Sequence, residues 1–107
     1  MILVYKKKNK TKPVRQPKSP EQLERHLKGV ANHWRIEILM LVANEKGITV
    51  DQIAERLKCN FKTTSEHTRR LVQAGLIRKN YKGRTVIHEL SPYGKTINNF
   101  IRTFQHS

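Results

Sequence analysis

Between Asn60 and Gly75 the chain carries Lys62, Thr63, Ser65, Glu66, Arg69 and Arg70. Read as a helix, this run places Thr64, Thr68, Leu71 and Val72 on a thin apolar side. The opposite side holds the charged and hydroxyl residues together with Gln73. Such side chains match base edges and phosphate oxygens: a carboxylate accepts from the cytosine amino group, an ammonium donates to guanine acceptors, and guanidinium ions pair with phosphates. Lys62, Thr63, Ser65 and Glu66, in the first turns, are expected to face bases, and Arg69 and Arg70 phosphates. A second basic group follows at Arg78, Lys79, Lys82 and Arg84, around Gly83. The plain alternative is a solvated helix face beside a charged hairpin.

Other chemistry finds little support. Ser65 and His67 stand two residues apart on one helix, so their side chains diverge and form no nucleophile–base pair. No glycine-rich phosphate loop is present, and neither catalysis nor a cofactor is expected. His26, His33, His67 and His88 show no ligand spacing on one helix face, and His106 stands alone near the end of the chain, so no metal site is expected. Cys59 is the only cysteine, which rules out an intramolecular disulfide and a cysteine-pair zinc site and fits a reduced, cytoplasmic setting. It falls in a turn and is expected as a small buried hydrophobe; a redox switch would need an exposed, low-pKa thiolate. His88 alternates with Val86 and Leu90 and is expected in the core.

The elements that must position the basic residues are legible in order. Ser19-Pro20-Glu21-Gln22 opens a first helix with a cap, a proline at N1 and a capping-box glutamine. Leu23 and Leu27 share one of its faces, and Gly29 is expected to end it. Asn32 caps a second helix whose Trp34, Ile36, Ile38, Leu39, Leu41 and Val42 bury much of its circumference. Thr49 opens a short third helix, with Gln52 at N3 and Ile48 and Ile53 as a hydrophobic staple. Asn60 caps the fourth, which Gly75 stops. Strands are expected over Leu76–Asn80 and Arg84–Leu90, joined by a Tyr81-Lys82-Gly83 turn. Ser91 caps a last helix, 91–105, whose Ile97, Phe100, Ile101 and Phe104 follow the i, i+3, i+4, i+7 rule.

The 107 residues suffice for one core, and the net charge of +14, with a pI near 10.4, calls for a polyanionic partner. Nucleic acid is the commonest such partner and an anionic membrane the competitor. No apolar run approaches the ~20 residues a spanning helix needs. Met1-Ile2-Leu3-Val4-Tyr5 is too short for a signal-peptide core, and its lysines follow it. Residues 1–18 read as a disordered basic arm: Lys6, Lys7, Lys8, Lys10, Lys12, Arg15 and Lys18 occur without an acidic residue, interrupted by Pro13 and Pro17. Residues 19–107 read as the folded domain, still basic with fifteen Lys and Arg against eight Asp and Glu. The arm is either a solubilising tail or a phosphate- or minor-groove-binding segment.

Two short helices joined by a tight turn, the second with a cationic outer face, then a basic hairpin, make the helix-turn-helix plan with a wing. The fold expected is mainly α with a small β-hairpin, in the order α-α-α-α-β-β-α. Particular segments resemble ArsR-type winged-helix repressors. Ala31-Asn32-His33-Trp34-Arg35-Ile36-Glu37-Ile38-Leu39 is similar to that family's entry into its second helix, with His33 where proline is usual. Leu57-Lys58-Cys59-Asn60-Phe61-Lys62-Thr63-Thr64-Ser65-Glu66-His67-Thr68-Arg69-Arg70-Leu71 resembles its turn and recognition helix, with Thr64 and Thr68 in place of aliphatics. Ala74-Gly75-Leu76-Ile77 and Gly83-Arg84 resemble its wing entry, and Leu90-Ser91-Pro92-Tyr93-Gly94 is similar to MarR-type relatives. The resemblance spans roughly residues 22–104. It implies a transcriptional regulator, by default a repressor, acting as a homodimer through the first and last helices. It also brings metal sensing into view, but the cysteine pair such sensors carry in the third helix is absent.

The residues point the same way on assembly. Leu23, Leu27, Ile97, Phe100, Ile101 and Phe104 are surplus to one small core, and exposed apolar patches mark interfaces. A two-fold dimer would read double-stranded DNA at a pseudo-palindrome, its recognition helices about 34–36 Å apart. The rival functions are a winged-helix module that docks proteins and a non-specific architectural protein driven by the arm. The operator sequence and any small-molecule effector are not encoded in a readable form.

Overall fold

The computed structural model describes residues 16–107; the expected disorder of the arm falls largely outside them. The element order is α1 (Pro20–Val30), α2 (His33–Asn44), α3 (Val50–Leu57), α4 (Phe61–Gln73), β1 (Ile77–Lys82), β2 (Thr85–Leu90) and α5 (Pro92–Gln105). All five helices begin where short polar side chains can satisfy the orphan N–H groups of a first turn. Ser19 and Thr49 each form a complete capping box, with Gln22 and Gln52. Asn32, Asn60 and Ser91 accept from the backbone N–H groups of Trp34 and Arg35, of Thr63, and of Gly94.

The core is a single cluster of Val30, Ile38, Leu39, Val42, Ile48, Ile53, Leu71, Ala74, Leu76, Ile77 and Leu90. Helix α2 sits at its centre, packing on α1, α3, α4, α5 and β2. Thr64 and Thr68 also point inward, buried, with hydroxyls that find no hydrogen-bond partner among the described residues. Unpaired buried hydroxyls cost stability.

Gly29 does not end α1, which continues to Val30. The glycine has another use: a Cβ there would stand 2.2 Å from the Ala74 Cβ, so its absence lets α1 lie close against the end of α4. His26, one turn earlier, is buried and donates from Nδ1 to the Ala74 carbonyl at 2.7 Å, tying the same two elements. Cys59 is half-buried instead of buried. It follows Lys58, which is left-handed at φ 54° and turns the chain between α3 and α4.

The hairpin is longer than expected at its tip. Lys82 pairs with Thr85, leaving a two-residue turn of Gly83 and Arg84, with Gly83 at φ 64°. A glycine at positive φ in the first central position suits a tight hairpin turn. Ile48 adds a single bridge beside β2: Gly47 N–H donates to the His88 carbonyl and His88 N–H to the Ile48 carbonyl.

His88 is 1% exposed and donates from Nδ1 to the Ile48 carbonyl at 3.0 Å. Burial holds its pKa below the ordinary 6.5, against the pull of that carbonyl and with help from Lys79. The folded protein therefore binds fewer protons than the unfolded chain. The stabilising effect is complete above pH 6.5 and is lost as the pH falls through the folded value. Thermal melts taken from about pH 7.5 down to about pH 5 are expected to show falling stability, with a flatter profile for His88→Gln. Parallel profiles would remove His88 as a source. Part of the slope remains in the variant, because burial and Arg35 depress His67 in the same direction.

Candidate nucleic-acid interface

Helices α3 and α4 are joined by the three residues Lys58, Cys59 and Asn60. The cap at Asn60, with its side chain 2.8 Å from Thr63 N, fixes the first turn of α4. Thr64, Thr68 and Leu71 anchor one side of that helix in the core. The other side stays clear of the body: Lys62, Arg69 and Arg70 are exposed, and Thr63, Ser65 and Glu66 partly so.

Between α4 and the wing lies a cleft. Phe61, Ser65, Arg69 and Val72 line it from α4, and Lys79, Arg84, Thr85 and Val86 from the hairpin. Thr49 to Asp51, at the start of α3, close one end. Four of the expected contact residues, Ser65, Arg69, Lys79 and Arg84, therefore share one concave basic surface. Lys62, Thr63 and Glu66 continue it along the outer side of α4 in a second shallow hollow with Phe61.

The pleat of the hairpin separates the rest. Ile77, Lys79 and Tyr81 pair with Leu90, His88 and Val86 on the inward-facing side. Arg78 lies on the other face, directly across from Glu89, whose carboxylate also takes Asn80 Nδ2 at 2.8 Å and Lys46 Nζ at 3.7 Å. Arg78 is thus outside the cleft. Lys82 stands on that same face at the exposed tip, beside Gly83.

Glu66 is not a free acceptor. Its carboxylate takes hydrogen bonds from Arg69 Nη2 at 2.7 and 2.8 Å and from Arg70 Nε at 3.0 Å. Those bonds, from Arg69 first and then Arg70, hold its pKa below the ordinary carboxylate value. Both arginines are thereby oriented before any partner arrives, while one negative charge offsets part of the helix's positive field. A hydrogen-bonded carboxylate retains further lone pairs, so Glu66 keeps the capacity to accept from an incoming donor. His67 is half-buried, and its Nδ1 has no hydrogen-bond partner among the described residues.

Two aromatic side chains escaped the sequence reading. Phe61 is 54% exposed at the first position of α4, and Tyr81 is 69% exposed on the wing. The helical spacing of Phe61 with Thr64 and Thr68 would suit a buried ring. Its exposure depends on what packs beside the first turn of α4, which periodicity does not report.

A second surface is built from other elements. Leu27, Ile36, Met40, Ile97, Phe100, Ile101 and Phe104 line an apolar groove between α1, α2 and α5. Phe100 and Phe104 stack with ring centroids 5.6 Å apart, at 59% and 68% exposure. Leu23, 46% exposed, lies one turn before Leu27 on α1. Among the described residues no group of three His, Cys, Asp or Glu side chains could hold a metal ion, and no helix is long and apolar enough to cross a membrane.

Residues 32–82 match the model of the MarR family. No curated protein matches the chain. Several solved structures share its fold. HlyU from Vibrio cholerae N16961 is 22% identical, with a TM-score of 0.74 over 86% of this chain and 100% of that one. The homodimeric winged helix-turn-helix DNA-binding domain of Mb0332 from Mycobacterium bovis, a possible ArsR-family transcriptional regulator, is 21% identical, with a TM-score of 0.73 over 86% of this chain and 91% of that one. The transcriptional repressor PagR of Bacillus anthracis is 23% identical, with a TM-score of 0.69 over 76% of this chain and 93% of that one.

Proposed function

We propose that this MarR/ArsR-like winged-helix chain is a sequence-specific, double-stranded DNA-binding transcriptional regulator that acts as a homodimer, by default a repressor. The observation that carries the reading is the shared basic cleft of α4 and the wing, with Ser65 and Arg69 facing Lys79 and Arg84. A major groove about 12 Å wide admits one helix. With α4 inserted there, the hairpin tip reaches the flanking backbone. Lys62, Thr63, Ser65 and Glu66 read base edges, while Arg69 and Arg70, braced by Glu66, hold phosphates. Lys79, Lys82 and Arg84 clamp from the wing, Lys82 from its exposed tip; Arg78, on the outward face away from the tip and across from Glu89, is the least favoured of the expected contacts. The apolar groove between α1 and α5 takes a second copy, which doubles the recognised sequence into a pseudo-palindrome. Regulation follows from occupancy of the promoter, without catalysis and in the cytoplasm. The basic residues preceding Ser19 add phosphate contacts.

A gel-shift titration across salt concentrations, on a duplex selected from a random pool, tests this. Affinity is expected to fall steeply and log-linearly with salt, by roughly 0.9 log units per log unit for each phosphate neutralised. Lys79→Ala and Arg84→Ala should each weaken all duplexes alike and reduce that slope by about 1. Binding indifferent to salt would defeat the proposal and favour a protein-docking module, and salt-sensitive binding with no selected sequence would defeat it in favour of a non-specific architectural protein.

A further inference from the structure

We propose that Phe61 is a base-reading residue whose ring contacts the C5 methyl group of a thymine in each half of the bound site. The inference rests on the duplex-binding reading above and deepens it. Phe61 is the first residue of α4, set there by the Asn60 cap. More than half of its surface is exposed, and it stands where two hollows meet. One hollow leads to Ser65, Arg69, Lys79 and Arg84, and the other to Lys62, Thr63 and Glu66. Its ring is the largest apolar side chain lining either hollow, accompanied by Val50, Val72 and Val86 in the first and set among charged, hydroxyl and imidazole side chains in the second.

The N-terminal residues of the second helix in this motif are those that reach base edges. Beside the hydrogen-bond donors and acceptors that base pairs show in the major groove, the thymine methyl is the one bulky apolar group, where cytosine carries only a C5 hydrogen. A phenylalanine in that position has no hydrogen bond to offer, and the thymine methyl is the group that complements it best. Lys62 and Glu66 can report on guanine and cytosine; Phe61 supplies the signal for thymine that neither of them can give. The apolar surface covered is about that of one methyl group per half-site. Loss of the contact should cost about fourfold in affinity per methyl and about fifteenfold for both together.

The test replaces each thymine of the selected duplex in turn by deoxyuridine, which removes the methyl and leaves every hydrogen-bonding group in place. With the native protein, one position in each half-site is expected to weaken binding by about fourfold. Phe61→Ala should bind the thymine and deoxyuridine duplexes equally, and Phe61→Leu should keep part of the ratio. The ring's exposure means that both variants should melt like the native protein, and this is checked alongside. A selected duplex that tolerates deoxyuridine everywhere overturns the inference and leaves the DNA-binding reading standing. So does a Phe61→Ala protein that loses affinity but keeps the native ratio, since its ring would then be touching sugar or backbone. Failure to select any duplex overturns both.

Discussion

The double variant Phe100→Glu/Phe104→Glu is expected to sediment as a monomer and to bind its DNA site about 10²–10⁴-fold more weakly than the native protein, the loss that follows when two linked binding events become separate. The two rings stack on each other at one end of the apolar groove and are mostly exposed in the single chain. Nothing in the protomer core depends on them: they are absent from the buried cluster and from the partly buried side chains packed against it. Ile97 and Ile101, by contrast, do pack on that cluster and also line the groove, so charging them would mix unfolding with dissociation. The choice of residues keeps the two effects apart. Circular dichroism should be unchanged, sedimentation should shift to half the mass, and the salt slope should fall because one duplex-binding surface remains in place of two. A variant that remains dimeric would move the interface away from the α1–α5 groove. A monomer with undiminished affinity would remove the need for a dimer.

The second large effect concerns stability. Gly94 lies in the first turn of α5, and a Cβ built on it would stand 2.0 Å from the Leu76 carbonyl oxygen and 3.0 Å from the Leu76 carbonyl carbon. Those atoms are backbone and cannot rotate away. They are also fixed twice over, since Ser91 N–H donates to the same Leu76 carbonyl while Leu76 N–H donates to the Leu71 carbonyl. Ser91 completes the junction, donating from its hydroxyl to the Gly75 carbonyl at 2.6 Å and accepting from Gly94 N–H at 3.0 Å. Gly94→Ala is therefore expected to lever α5 off the end of α4 at a cost of about 3 kcal/mol or more. For a domain of this size that lowers the melting temperature by roughly 12–24 °C. A melting curve that moved by only a degree or two would mean that the contact relaxes cheaply. The junction reaches further, because the same few residues set where the wing begins and where α5 departs.

Much of the site was legible in the chain because the relevant partners are near neighbours. The caps at Ser19, Asn32, Thr49, Asn60 and Ser91 bond to groups two or three residues away, so five helix starts could be read from residue types alone. The cationic side of α4 and the surplus apolar stripe of α5 follow from helical periodicity in the same way. The hairpin was less legible. Its turn has two residues, Gly83 and Arg84, and not the three read at Tyr81-Lys82-Gly83, and the length of a turn sets the register of every pair behind it. That register sends Lys79 into the cleft and Arg78 across from Glu89, although the two are adjacent and equally basic in the sequence.

Charge, helix starts and the amphipathic faces of α4 and α5 were thus determined by the sequence by itself, since the caps and stripes depend on residues about one turn of helix apart. Only the tertiary structure decided that Gly29 marks a close approach to Ala74, that Gly94 seats α5 on Leu76, and that Phe61 is left uncovered between two hollows. The physical reason is distance along the chain. Gly29 and Ala74 are separated by 45 positions, and whether a Cβ clashes or a ring is shielded depends on which remote backbone the packed core brings beside it.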